Sequence, residues 1–255
     1  MCTLTWFTHD EGYELFFNRD ESVLRKRALL PNISEQEGVS YIAPTDADEG
    51  GTWVATNQKG YTICLLNHYQ FEQIKTYKDW ISRGKLVRDF ADTDSLAQAQ
   101  ARFYAMDLHD YRAFRMFIIG PAGGNRLMVW DGHAQRVELD VAQPKSSSSV
   151  DAQHVKALRK NNFQDLQLPS SSNTNDFIKF HRSHFPRASK ESVCMHRAEA
   201  QTVSLSHVSV CRNKTSFAYM DGPPCQSEFG EAVSLKLVGD VAPITNVAMV
   251  PATHS

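Results

Sequence analysis

Cys2, Leu4 and Trp6 alternate with Thr3 and Thr5 at the start of the chain, and segments of strand length cut by turn residues recur along the sequence. Such a pattern demands sheets joined by short connections, and the first of these segments pins the terminus inside one. Residues 13–17 read as its hairpin partner after the turn His9-Asp10-Glu11-Gly12, which brings Cys2 close to Arg19. Strands at 53–56 and 61–66 flank the turn Asn57-Gln58-Lys59-Gly60, and this second pair ends at Asn67 and His68. Residues 113–119, 126–131 and 136–141 read as a meander, and 191–195, 202–212 and 215–220 as later strands.

Helical periods interrupt this pattern in the middle of the chain. Leu96, Ala99, Phe103 and Met106 recur at steps of three and four behind Ser95-Leu96-Ala97-Gln98, a capping-box pattern. Residues 151–161 carry Ala152, Val155 and Leu158 on one helical face, and a shorter helix is expected at 176–184. The tail from Ala232 is expected to pack back onto the body. The chain is long enough for one large domain or two small ones; with no internal repeat, the order suggests the α+β class, with two antiparallel sheets and helices outside them.

A formal charge of -2 gives no basic field of the kind that captures phosphate backbones, so nucleic acid is not an expected partner. No segment approaches the roughly 20 apolar residues that span a bilayer, and the expected compartment is the cytoplasm. Five cysteines, at 2, 64, 194, 211 and 225, form an odd, scattered set that suits a reducing compartment rather than a disulfide framework. CxxC, CxxCH, HExxH, GxxxxGK[ST] and GxGxxG are all missing, so no metal ligands and no cofactor are assigned. His68, the pair His181 and His184, and the alternating Cys194 and His196 still allow a haem axial ligand or a metal site to be drawn, without ligand spacing to support it.

Cys2 carries the strongest chemical expectation. Met1 is normally trimmed before a small residue, which leaves a thiol and an α-amine on one residue. Free thiols titrate near ~8.5 and α-amines near ~7.7 to 8.0, so neighbours must tune both. Arg19 would favour the thiolate and Asp20 would orient the ammonium. Gly50 and Gly51 let backbone approach a ligand or adopt a positive φ, and Trp53 is either a pocket wall or a core tryptophan. Arg83 and Arg197 are fixed cations able to grip a carboxylate, although Arg83 equally suits a helix cap.

Met-Cys at the start, NRDE at 18–21, EGGTW at 49–53, LLNHY at 65–69, SRG at 82–84 and the stretch 192–204 together resemble the NRDE family, which includes the transport-and-Golgi-organisation proteins of eukaryotes. The resemblance implies a single domain over 1–255 with the four-layer αββα sandwich of the N-terminal nucleophile hydrolases. A more distant similarity to choloylglycine hydrolases and penicillin V acylases implies that Cys2 is a nucleophile, that Arg19 and Asp20 lie near its amine, and that Asn67 stabilises an oxyanion. A second asparagine of those enzymes is replaced here within 146–149 by serines. Trp53, His68, Arg83 and Arg197 are the implied contacts to a small-molecule substrate. Two functions follow: hydrolysis of a linear amide or acyl bond, or carriage of haem or a lipid-like compound on the same scaffold.

Overall fold

The computed structural model describes residues 2–69 and 80–238; Met1, whose removal the terminal cysteine suggests, lies outside them, as does the tail beyond 238. In chain order come β1 (Cys2–His9), β2 (Gly12–Ser22), β3 (Leu29–Gln36), β4 (Val39–Thr45), β5 (Val54–Asn57) and β6 (Thr62–Asn67). Two helices follow, α1 (Gly84–Asp89) and α2 (Leu96–Ala105), and then β7 (Phe114–Ile119), β8 (Asn125–Trp130), β9 (Gln135–Leu139) and β10 (Lys145–Ser147). After α3 (Ala152–Asp165) and α4 (Thr174–Arg182), the described chain closes with β11 (Ala200–Cys211), β12 (Lys214–Asp221) and β13 (Val233–Lys236).

These strands form two antiparallel sheets. Six make the order β10-β1-β2-β11-β12-β13, and seven run in sequence from β3 to β9. The strand period of two sorts side chains into layers. Leu4, Trp6, Leu15 and Phe17 meet Val54, Leu66, Phe117 and Leu127 between the sheets. Phe114 and Met116, on the outer face of the seven-stranded sheet, pack on Phe90 beside α1 and Phe103 of α2. Phe7 and Phe16, on the outer face of the six-stranded sheet, meet Phe163 of α3 and Phe177 and Phe180 of α4. Each of these phenylalanines, all fully buried except Phe7, contributes about 1.5–3 kcal/mol by leaving water. The architecture is therefore αββα, as expected. No helix among the described residues is long and apolar enough to cross a membrane.

Local chemistry explains both the agreements and the departures. Ser95 caps α2, its Oγ accepting from the Gln98 amide at 3.1 Å. Residues 191–195, expected as a strand, are irregular. There the Ser192 hydroxyl donates to the Cys194 carbonyl at 2.7 Å and accepts from the Ser189 amide, capturing backbone groups that a ladder would need. The buried face of α3 runs through Val155, Arg159, Asn162 and Phe163, and Leu158 lies beside it, half-buried. β3 was not anticipated: it is the edge of its sheet, Pro31 breaks its pattern, and Leu29, Leu30 and Ile33 face solvent. The tail reaches the body through β13, which pairs with β12.

Candidate functional site

The register of the six-stranded sheet builds the site. Cys2 stands directly opposite Arg19 on one neighbouring strand and Ser147 on the other. Directly opposed residues of an antiparallel pair share a face, so all three look into the space between the sheets. There a cleft of about 450 Å³ opens, lined by Cys2, Arg19, Asp20, Trp53, Asn67 and Arg83 among others. Six of the eight residues expected at the site thus border it, although the Asp20 carboxylate points to the other face of β2. His68 and Arg197 do not line it. His68 is buried, and burial reinforced by Arg115 pushes its pKa down to about 4. Arg197 pairs instead with the carboxylate of Glu199.

Arg19 is held firmly. Its guanidinium lies 4.0 Å over the Trp53 ring, 2.7 Å from Asp46 Oδ2 and 3.3 Å from Glu21 Oε2. Asp46 also accepts from Arg25 Nη2 at 2.6 Å and from the backbone amides of Asp48 and Glu49. Although burial opposes ionisation, Arg25 leads the contacts that hold the Asp46 carboxyl below its usual range. The positive charge of Arg19 is therefore shared with two carboxylates before it acts on sulfur. Burial pushes the Cys2 thiol up; the positive chain terminus, the Asp20 backbone N–H and Arg19 pull it down, and the Asp20 carboxylate works against them. Arg19 favours the thiolate, as its charge requires, but does not outweigh burial.

Asp20 occupies the other face of β2, as the period of two requires. Its Oδ1 accepts from Thr202 Oγ1 at 2.6 Å, and its Oδ2 lies 3.6 Å from the buried guanidinium of Arg159. Arg159 also donates to Thr3 Oγ1 at 2.7 Å and to the Ser192 carbonyl at 2.7 Å. A register shift between Thr202 and Ser204 lets Thr202 face Asp20 while Ser204 faces back toward Arg19. The carboxylate thus lies on the face of the sheet away from the cleft.

The remaining motifs shape the rim. Gly50 has φ +68°, and a Cβ on Gly51 would fall 2.6 Å from the Gly84 carbonyl carbon. EGGTW and SRG are therefore two glycine-bearing segments in backbone contact, closed by the Thr52 amide donating to the Gly84 carbonyl at 3.1 Å. This contact places Trp53 and Arg83 on one wall. Arg83 Nη1 donates to the Ala113 carbonyl at 3.0 Å, so it ties the start of α1 to the residue before β7. The Asn67 amide donates to the Tyr69 hydroxyl at 2.6 Å. Opposite Asn67 in the ladder is Phe114, a residue of the outer layer, so its side chain leaves the sheet on the side away from Leu66 and reaches the cleft only at the rim.

Several partners escaped the sequence reading. Asp46 and Arg25 lie in turns rich in charge, where no spacing singles out one residue. Arg159 follows Val155 by four residues, the one signal that it lies on the buried face. Among the four serines, the ladder selects Ser147. It is 1% exposed, and its hydroxyl has no hydrogen-bond partner among the described residues.

Comparison with known proteins bears on the family and the fold. The family model described as Transport and Golgi organisation 2 matches residues 1–215. No curated protein sequence matches the chain. Among solved structures, an N-acylethanolamine-hydrolyzing acid amidase ortholog from Caenorhabditis elegans superposes with a TM-score of 0.59 at 12% identity, covering 81% of this chain and 92% of that one. A mutant conjugated bile acid hydrolase from Clostridium perfringens gives 0.52 at 10% identity over 92% of each chain. Penicillin V acylase from Agrobacterium tumefaciens gives 0.50 at 10% identity, covering 85% and 82%. At these identities the likeness is one of fold.

Proposed function

Because the chain belongs to the Transport and Golgi organisation 2 family, we propose that it is a cysteine hydrolase of the N-terminal nucleophile type, cleaving a linear amide or related acyl bond of a small molecule. The observation that carries this reading is the register of Cys2 between Arg19 and Ser147 on the face that lines the cleft. Structural neighbours named as an amidase, a bile acid hydrolase and an acylase lend support.

After removal of Met1, the Cys2 sulfur attacks the acyl carbon and its proton passes to the α-amine of the same residue. The amine then protonates the leaving nitrogen or oxygen as the acyl bond breaks, leaving a thioester on Cys2. Water cleaves the thioester, which releases the acid and returns the proton to sulfur. The Ser147 hydroxyl is the candidate donor to the oxyanion, and the Asn67 amide would join it only by turning inward from the rim and releasing the Tyr69 hydroxyl. Arg19, fixed by Asp46 and Glu21, positions the reacting group, and Asp20 steadies the terminus from the opposite face. Trp53 and Leu65 offer apolar wall, and Arg83 and Arg112 offer charge, which suits an acyl compound with an anionic or polar end.

The test is intact-protein mass after exposure to a thiol-directed acyl probe. The expected result is a chain lacking Met1 that gains one acyl group, with Cys2→Ala abolishing labelling and turnover while reversible affinity persists. A Met1-free protein that resists the probe would end the hydrolase reading.

A further inference from the structure

Far from the cleft in sequence, and behind β2 in space, three segments converge on a second cluster. His184 follows the end of α4, Cys194 and His196 belong to the irregular stretch before β11, and Cys225 lies in the loop after β12. One donor atom from each lies within 4.8 Å of all the others. The two histidine Nε2 atoms are 3.2 Å apart, and His196 Nε2 is 3.6 Å from Cys194 Sγ and 3.4 Å from Cys225 Sγ. Four ligands at zinc bond lengths of about 2.0 to 2.3 Å, set at tetrahedral angles, place nitrogens roughly 3.3 Å apart and nitrogen from sulfur roughly 3.6 Å apart. The two scales coincide.

We propose that His184, Cys194, His196 and Cys225 form a tetrahedral structural zinc site. Two thiolates and two imidazoles are a donor set that zinc favours, and four protein ligands leave no open position for a substrate. A haem would need its axial ligands kept apart from one another, and a two-iron cluster divides its Cys and His ligands between two metal atoms. Neither suits donors this close. The ligands come from three segments with no motif spacing, so the sequence expectation of no metal site reflects how they are dispersed along the chain.

The surroundings favour a preformed site. The Cys194 amide donates to the Ser183 carbonyl at 3.0 Å and the His196 amide to the Ser189 carbonyl at 3.2 Å. Arg182 reaches across to the Ser227 carbonyl at 3.0 Å, which ties the loop of Cys225 to the end of α4. Residues 183–199 contain neither helix nor strand, so a metal would replace the ladder they lack. Binding releases the two thiol protons to solvent. The site also reaches toward the cleft. Between Cys194 and His196, the Met195 amide donates to Thr202 Oγ1 at 2.7 Å, and that hydroxyl donates to Asp20 at 2.6 Å. Zinc would hold the segment that fixes Asp20, whatever reaction the cleft performs.

The test is titration of the full chain, stripped of metal and kept reduced, with Zn²⁺ alone under native mass spectrometry, and with Co²⁺ followed by absorption. One zinc per chain, a tetrahedral cobalt spectrum with thiolate charge-transfer bands, and a higher melting temperature on zinc addition are expected. Cys225→Ser should weaken zinc binding at least about tenfold, and Cys211→Ser, outside the cluster, should leave it unchanged. Should Cys225→Ser fail to fold, the wild-type cobalt spectrum still counts the thiolates. Substoichiometric zinc, cobalt without thiolate bands, zinc affinity unchanged in folded Cys225→Ser, or a Cys194–Cys225 disulfide in reduced, zinc-supplied protein would each overturn the proposal.

Discussion

Arg19 and Asp20 are neighbours in sequence, yet the strand period sends one to the cleft and the other to the helical layer. The first placement was legible, because the turn at His9-Asp10-Glu11-Gly12 fixes which residue of β2 meets Cys2. The second was legible in principle from the same period, but the resemblance to acylases drew both residues toward one amine. Ser147 illustrates the limit: four consecutive serines are equivalent in sequence, and only pairing with β1 distinguishes one. Ser147→Ala should lower turnover about 10²-fold with little change in melting temperature; steady-state kinetics beside thermal denaturation would separate this from a packing role. Burial raises the Cys2 thiol, and the thiolate is the reactive form, so less of it exists at neutral pH than for a free cysteine. Acyl-probe labelling rates should still be climbing above pH ~8.5, the ordinary thiol value. Arg19→Gln should move that profile further toward alkali, and a plateau near neutrality would refute the account.

At the scale of elements, hairpins and caps were the legible features, because their determinants are local. The turn before β6 and the Ser95 cap of α2 lie where their residues indicate. Strand β10 escaped because its partner β1 is distant in sequence, and the irregular stretch before β11 because serine side chains compete there for backbone; the β3–β4 hairpin escaped although its partners are adjacent, because Pro31 and the solvent-facing residues of β3 mask its pattern. The contact between Gly51 and Gly84 belongs to the same class: two glycine motifs read separately turn out to touch. A methyl group at Gly51 would collide with the Gly84 backbone. Gly51→Ala is therefore expected to cost about 1–3 kcal/mol in urea denaturation, and to raise KM by displacing the wall that carries Trp53 and Arg83. An unchanged denaturation midpoint would mean that the two segments separate without cost.

For the whole molecule, alternation and the placement of helical segments pointed to two antiparallel sheets with helices outside, one α+β arrangement among several, and the family resemblance supplied the four-layer order. They did not reveal that α1 and α2 interrupt a meander which resumes in the same sheet, because sheet membership is decided by pairing of β6 with β7 across the helices. Nor did they reveal which edge faces outward. That edge is β3, with Leu29, Leu30 and Ile33 exposed beside Pro31. Unpaired backbone along such a strand invites a second molecule to add its own strand and extend the sheet. Pro31 supplies no N–H, and the register shift between Leu29 and Asn32 bends the strand at the same point. Pro31→Val should accordingly promote concentration-dependent association, seen as rising light scattering, while labelling of Cys2 stays unaffected. The proline that breaks the strand pattern in the sequence thus acts as a guard of solubility, keeping a greasy border from growing into a fibre.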